Sequence, residues 1–197
     1  MGAAGLIEIK RRLKSVESTR KITKAMGLVA TSKLRKVRNE LANNEKYNEL
    51  CKDIVDVVVS NLPEGYESIY CTERKGDKLY IVLTSDTGLC GGYNNNVIAY
   101  LKEVLDNESG TEKIVLVGSK GLSYMSKYSL NTFNEYVSIP DIPTISEINK
   151  IYNEAIYLYK KGEVSEVNIV YTKFISPMKQ EPILIKMLPF ETDSSKK

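Results

Sequence analysis

Between Leu6 and Val59 the sequence contains no proline and one glycine, Gly27. A segment so free of helix breakers predicts a single continuous helix. At 1.5 Å per residue it would be about 80 Å long, which exceeds the usual globular helix and calls for a coiled-coil reading. The apolar spacing agrees. Leu6, Ile9, Leu13, Val16, Leu34, Val37 and Leu41 fall on alternating steps of three and four. Written as heptads, the a positions are Leu6, Leu13, Arg20, Gly27, Leu34 and Leu41, and the d positions are Ile9, Val16, Thr23, Ala30 and Val37.

The middle of that seam is polar or small, and there a second face turns apolar through Ile22, Met26 and Val29. A helix that is apolar on more than one face is usually enclosed by other protein. Burying the large seam residues is worth roughly 1.5–3 kcal/mol each, so a partner helix is expected. The rest of the chain offers no second helix of matching length. Charge is divided in the same way. Residues 1–60 hold 13 Lys and Arg against 7 Asp and Glu, and residues 61–197 hold 15 against 18. The basic residues cluster between Lys10 and Arg38.

After Leu62-Pro63-Glu64-Gly65 the pattern changes. Residues 78–84, 113–117, 167–171 and 182–188 read as strands, and 130–137 as a further one. Helices are expected from about Asn95 to Leu105, briefly after the Gly118-Ser119-Lys120-Gly121 turn, and from an N-cap at Ser146 through Tyr159, with Gly162 as the stop. Alternating strand and helix imply a mostly parallel sheet with helices on its faces. The expected fold is α/β, a long N-terminal coiled-coil helix plus a Rossmann-like sheet. The expected domains are 1–62 (helix), 63–190 (globular α/β) and 191–197 (polar tail).

The chain has no histidine. That excludes a Ser-His-Asp triad, a Cys-His dyad and a histidine-bearing zinc site. Cys51, Cys71 and Cys90 form no CxxC pair, which fits a reducing compartment. There is no secretory signal and no membrane-length apolar run, so a bacterial cytoplasmic location is read. The loop SDTGLCGGYNNN, residues 85–96, sits between a strand and a helix like a phosphate cradle, but neither GxGxxG nor GxxxxGK[ST] is present. Its glycines read as tight turns with positive φ. Cys90 has no base or cation within the loop to hold a thiolate and reads as a small buried hydrophobe. Two alternatives stay open: a dinucleotide-binding α/β enzyme, and a nucleic-acid binder using the basic helix. Against the second, the charges are interleaved with the seam instead of preceding it as in a basic zipper.

The segment RLKSVESTRKITKAMGLVATSKLRK and the loop SDTGLCGGYN resemble the gamma subunit of F-type ATP synthase, and FISPMKQEPILIKMLP is similar to that family's later strand pair. The resemblance implies a non-catalytic central rotor shaft without a cofactor. It implies alpha and beta subunits around the helix, with the epsilon subunit and the c-subunit ring at the globular base. It also implies peripheral attachment to the cytoplasmic side of the bacterial inner membrane. Lys21, Ile22, Lys24, Met26, Val29, Lys33 and Arg35 match the segment that passes the alpha/beta ring. Ser85, Asp86, Gly88, Leu89, Cys90, Gly91 and Asn94 match the loop motif of the base. Thr87 stands where the family commonly has a basic residue, and Gly27 where a longer one is usual. The family continues into a long C-terminal helix that pairs with the N-terminal one. A chain stopping at Lys197 is expected to lack that partner.

Overall fold

The computed structural model describes residues 3–63, 66–108 and 110–190. The polar segment 191–197 lies outside them. The chain divides into two compact units, one up to Ile54 and one from Val55 on.

Helix α1 runs unbroken over Ala3–Ser60, 58 residues. All seven seam residues are exposed along it, from 37% at Val37 to 65% at Val16. One stretch is locally different. The hydroxyls of Thr19, Thr23 and Thr31 donate to the carbonyls of Ser15, Thr19 and Gly27, at 3.0, 3.0 and 2.9 Å. Such back-bonding competes for helix carbonyls and tends to bend the axis. Gly27 lies in the same stretch with open space around its Cα.

The second unit is built on strands β1 (Lys78–Leu83), β2 (Glu112–Val117), β3 (Asn134–Tyr136), β4 (Glu166–Ser176) and β5 (Lys179–Leu188). Their order is β3-β2-β1-β4-β5. The first three pairings are parallel and β4–β5 is antiparallel. The central strand β1, KLYIVL, is apolar without a break from Leu79 to Leu83 because both its faces are buried. Leu79 and Ile81 join Val115, Val117, Leu158 and Tyr159 on one side. Tyr80 and Val82 join Val97, Ile98, Leu101 and Met125 on the other. Helices α2 (Tyr93–Asn107) and α3 (Leu122–Lys127) cover the second face, and α4 (Ile145–Lys161) covers the first.

Two expectations are corrected. The N-cap of α4 is Thr144, not Ser146. Thr144 has Glu147 three residues on, and Glu147 Oε2 accepts from the Thr144 backbone N–H at 2.7 Å and from its hydroxyl at 2.8 Å. Ser146 has Asn149 at that place and can form no such box. The strand expected over 130–137 shrinks to Asn134–Tyr136, at the sheet edge.

Candidate functional site

The surface of α1 carries the first set of candidate residues. Between Lys10 and Arg38 there are eleven Lys and Arg and one acidic residue, Glu17. The 3.6-residue period gathers five of the eleven. Lys10, Lys14, Lys21, Lys24 and Arg35 share one side of the helix. Ile22, Met26, Val29 and Lys33, at steps of four, three and four, share another. The seam is the third, and the three stripes lie roughly a third of a turn apart. The expected ring-facing residues are therefore two groups. Lys21, Lys24 and Arg35 lie together, while Lys33 lies with the apolar Ile22, Met26 and Val29. Ile22, Met26 and Val29 are each about half exposed, at 58%, 48% and 56%.

The loop after β1 carries the second set, and its residues divide by role. Ser85, Asp86 and Asn94 brace it. Asn94 is buried, its Oδ1 accepts from the Ser85 backbone N–H at 2.9 Å, and its Nδ2 donates to Ser85 Oγ at 2.8 Å. Asp86 ties together the ends of three parallel strands. Its Oδ1 accepts from the Ser119 N–H at 2.9 Å, after β2, and its Oδ2 from the Ile139 N–H at 3.1 Å, after β3. Partial burial would push the Asp86 carboxyl up, but the backbone donors Ser119, Ser138 and Ile139 outweigh it and hold the carboxyl below the usual range. The sequence reading missed these partners. The one signal for them was the second strand-to-helix turn at Gly118. There φ is 100°, and a Cβ would come within 2.5 Å of the Thr84 carbonyl.

Gly88, Leu89, Cys90 and Gly91 are instead turned outward. Of the loop glycines only Gly91 has positive φ, 59°, so the positive-φ expectation fails at Gly88 and Gly92. Cys90 is exposed, not buried as expected. Its thiol accepts from Asn94 Nδ2 at 3.4 Å. Leu89 is the outlier. It is 91% exposed and has φ 63°, a left-handed conformation that costs a residue with a Cβ about 1–2 kcal/mol.

Beside the loop lies a cleft of about 180 Å³. Cys90, Gly92, Tyr93 and Asn96 from the loop and α2 line it together with Thr172 of β4 and Gln180 and Pro182 of β5. Burial pushes the Tyr93 phenol up. The lining contains no charged side chain that could meet a phosphate. The Gly92 N-cap of α2 contributes no side-chain hydrogen bond. The dinucleotide reading gains nothing from this geometry. Among the described residues no cluster of His, Cys, Asp and Glu could hold a metal ion. No described helix is long and apolar enough to cross a membrane.

This sheet order and single long helix have relatives. In the solved central stalk and c-ring of Tetrahymena thermophila mitochondrial ATP synthase, one chain matches with a TM-score of 0.63 at 24% identity, over 85% of this chain and 72% of that one. That likeness shows the fold. The ATP synthase gamma chain of Clostridium botulinum (strain Eklund 17B / Type B) is 54% identical over 196 residues, which cover 99% of this chain and 69% of the relative. The ATP synthase gamma chain of Clostridium beijerinckii is 51% identical over 190 residues, 96% of this chain and 67% of the relative. A family model described as ATP synthase matches residues 5–197. Matched over nearly its whole length by that model and by such relatives, the chain belongs to the ATP synthase gamma-chain family.

Proposed function

We propose that the chain works as the central-stalk rotor of an F-type ATP synthase, transmitting rotation of the membrane ring to the catalytic alpha and beta subunits and performing no bond chemistry itself. In this reading residues 1–62 are the shaft, 63–190 the base and 191–197 a linker. The three-striped surface of α1 carries the reading. A shaft inside a ring must offer one apolar stripe to a second helix and other faces to the ring. The seam of Leu6 to Leu41 fits the first need, and the basic and apolar stripes fit the second. A cationic stripe suits an acidic protein surface. The base then meets the epsilon subunit and the c-subunit ring on the cytoplasmic side of a bacterial inner membrane.

The test is reconstitution with alpha and beta subunits at about 150 mM salt, near physiological ionic strength. The chain is expected to co-purify with them. The triple variant Lys21→Glu, Lys24→Glu and Arg35→Glu should bind at least about tenfold more weakly, a loss of about 1.4 kcal/mol. Lys33→Glu lies on another stripe and reports on that face separately. Undiminished binding by the triple variant would refute the basic stripe as the ring-facing surface.

A further inference from the structure

Residues 61–77 join α1 to β1, and their described part holds no helix or strand. A connection longer than about 12–15 residues is uncommon in a compact domain and usually serves a function. This one is not left loose. The backbone N–H groups of Cys71 and Thr72 fold it into a turn, donating to the Ser68 carbonyl at 3.0 and 2.9 Å. That turn is fastened to the end of α4. The hydroxyl of Tyr159, a side chain fully buried in the core, donates to the Ile69 carbonyl. The Arg74 guanidinium lies 4.2 Å over the centre of the Tyr159 ring, and its Nη2 donates to the carbonyls of Tyr159 at 3.0 Å and Val164 at 3.5 Å. The Tyr70 ring stacks on Tyr159 with 6.2 Å between centroids. The chain leaving β5 is tied to the same place, because the Phe190 backbone N–H donates to the Tyr70 carbonyl at 2.7 Å.

Helix α4 does not need this arginine. Backbone bonds from Gly162 to the Tyr159 carbonyl and from Glu163 to the Leu158 carbonyl already close its last turn, at 3.2 and 3.0 Å. Lys160 and Lys161 already complement its dipole there. The arginine also costs stability, since its Nε is buried with no hydrogen-bond partner among the described residues. What it supplies is geometry. A flat guanidinium that stacks on a ring while its edge reaches two carbonyls fixes both the position and the angle of the segment carrying it. We infer that Arg74 and Tyr159 are positioning residues of a torsion clamp, which fastens the chain leaving α1 and the chain leaving β5 to the sheet core, so that rotation of the base passes into the shaft without slack. The inference rests on the rotor reading, and the experiment separates the two.

The readout is angular play, which a general loss of stability does not move. In the complex reconstituted with alpha and beta subunits, a bead is carried on Cys90, which is exposed, with Cys51 and Cys71 replaced by serine throughout. The spread of the bead angle is recorded during the pauses of ATP-driven rotation. Arg74→Ala should raise the mean-square spread at least about twofold. Tyr159→Phe removes only the tie to Ile69 and should raise it by less. Thr144→Ala loosens the opposite end of α4 and should leave it unchanged. An unchanged spread in a rotating Arg74→Ala complex, or an equal rise with Thr144→Ala, overturns the clamp and leaves the rotor reading standing. Should Arg74→Ala fail to assemble, Tyr159→Phe decides alone, and an unchanged spread there overturns the clamp. Failure of the complex to rotate with both Arg74 and Tyr159 intact overturns both readings.

Discussion

At the residue scale Asp86 has the clearest consequence. Its carboxylate accepts two backbone N–H bonds from turns 33 and 53 residues downstream, within the described structure. Its folded pKa is lowered. A depressed carboxyl contributes stability that is present above the unfolded value, close to 4, and is lost as pH falls through the lower folded value. Asp86→Ala should therefore cost about 1–3 kcal/mol at pH 7. The gap from the unaltered chain should narrow on acidification below pH 4. Urea unfolding at several pH values checks this, and a gap independent of pH would disprove the bracing role. Asp86 was legible as a motif residue, but its partners were not, because no local pattern announces a bond spanning 53 residues. Cys90 was misjudged for a related reason. Its side-chain type favours burial, yet the loop leaves it exposed.

At the element scale the helices offer two measurements. Thr144→Ala removes the side-chain half of the capping box of α4, while the backbone N–H at that position still donates to Glu147; the change should cost about 1 kcal/mol, read as a lower melting temperature. Gly27→Ala acts in the opposite direction. A Cβ at that position meets nothing within 4 Å, and alanine favours the helix by about 1 kcal/mol. Circular dichroism should show greater helicity and a later melt for α1. A loss of helicity would mean that Gly27 serves a close contact. The elements themselves were largely readable. β1 and β2 announce themselves because burial on both faces admits only apolar side chains. The start of α4 was misplaced because Ser146 is as good a cap by type as Thr144, and only the glutamate three residues on decides between them. The strand over 130–137 was overdrawn because an edge strand needs few pairings.

At the scale of the whole molecule the exposed seam dominates. Leu6, Ile9, Leu13, Val16, Leu34, Val37 and Leu41 together forgo burial on the order of 10–20 kcal/mol. The isolated chain should associate with itself at high concentration, and Leu13→Asp with Leu34→Asp should abolish this. Sedimentation over a wide concentration range decides. A monomer at every concentration, unaffected by the double change, would show that the seam is not a pairing surface. The heptads and the second apolar face of Ile22, Met26 and Val29 were plain in the sequence. The basic stripe was legible there only as a cluster between Lys10 and Arg38, because its members are spaced irregularly along the chain.

The strand order also sets a timetable. β1 lies at the centre of the sheet, and its neighbour β4 pairs Glu166 with Lys78, some 88 residues later, the same separation as the Ser165–Asp77 contact beside it. A ribosome adding 5–20 residues each second takes roughly 4–18 s to supply that stretch. Throughout this interval β1 has at least one edge open, and both until β2 follows; an open edge is a template for pairing with another chain. Helix α1, whose backbone hydrogen bonds span four residues, is synthesised in full before β1. During synthesis the hazard for this protein is therefore a waiting strand, and the step that ends it is the emergence of Glu166–Val170.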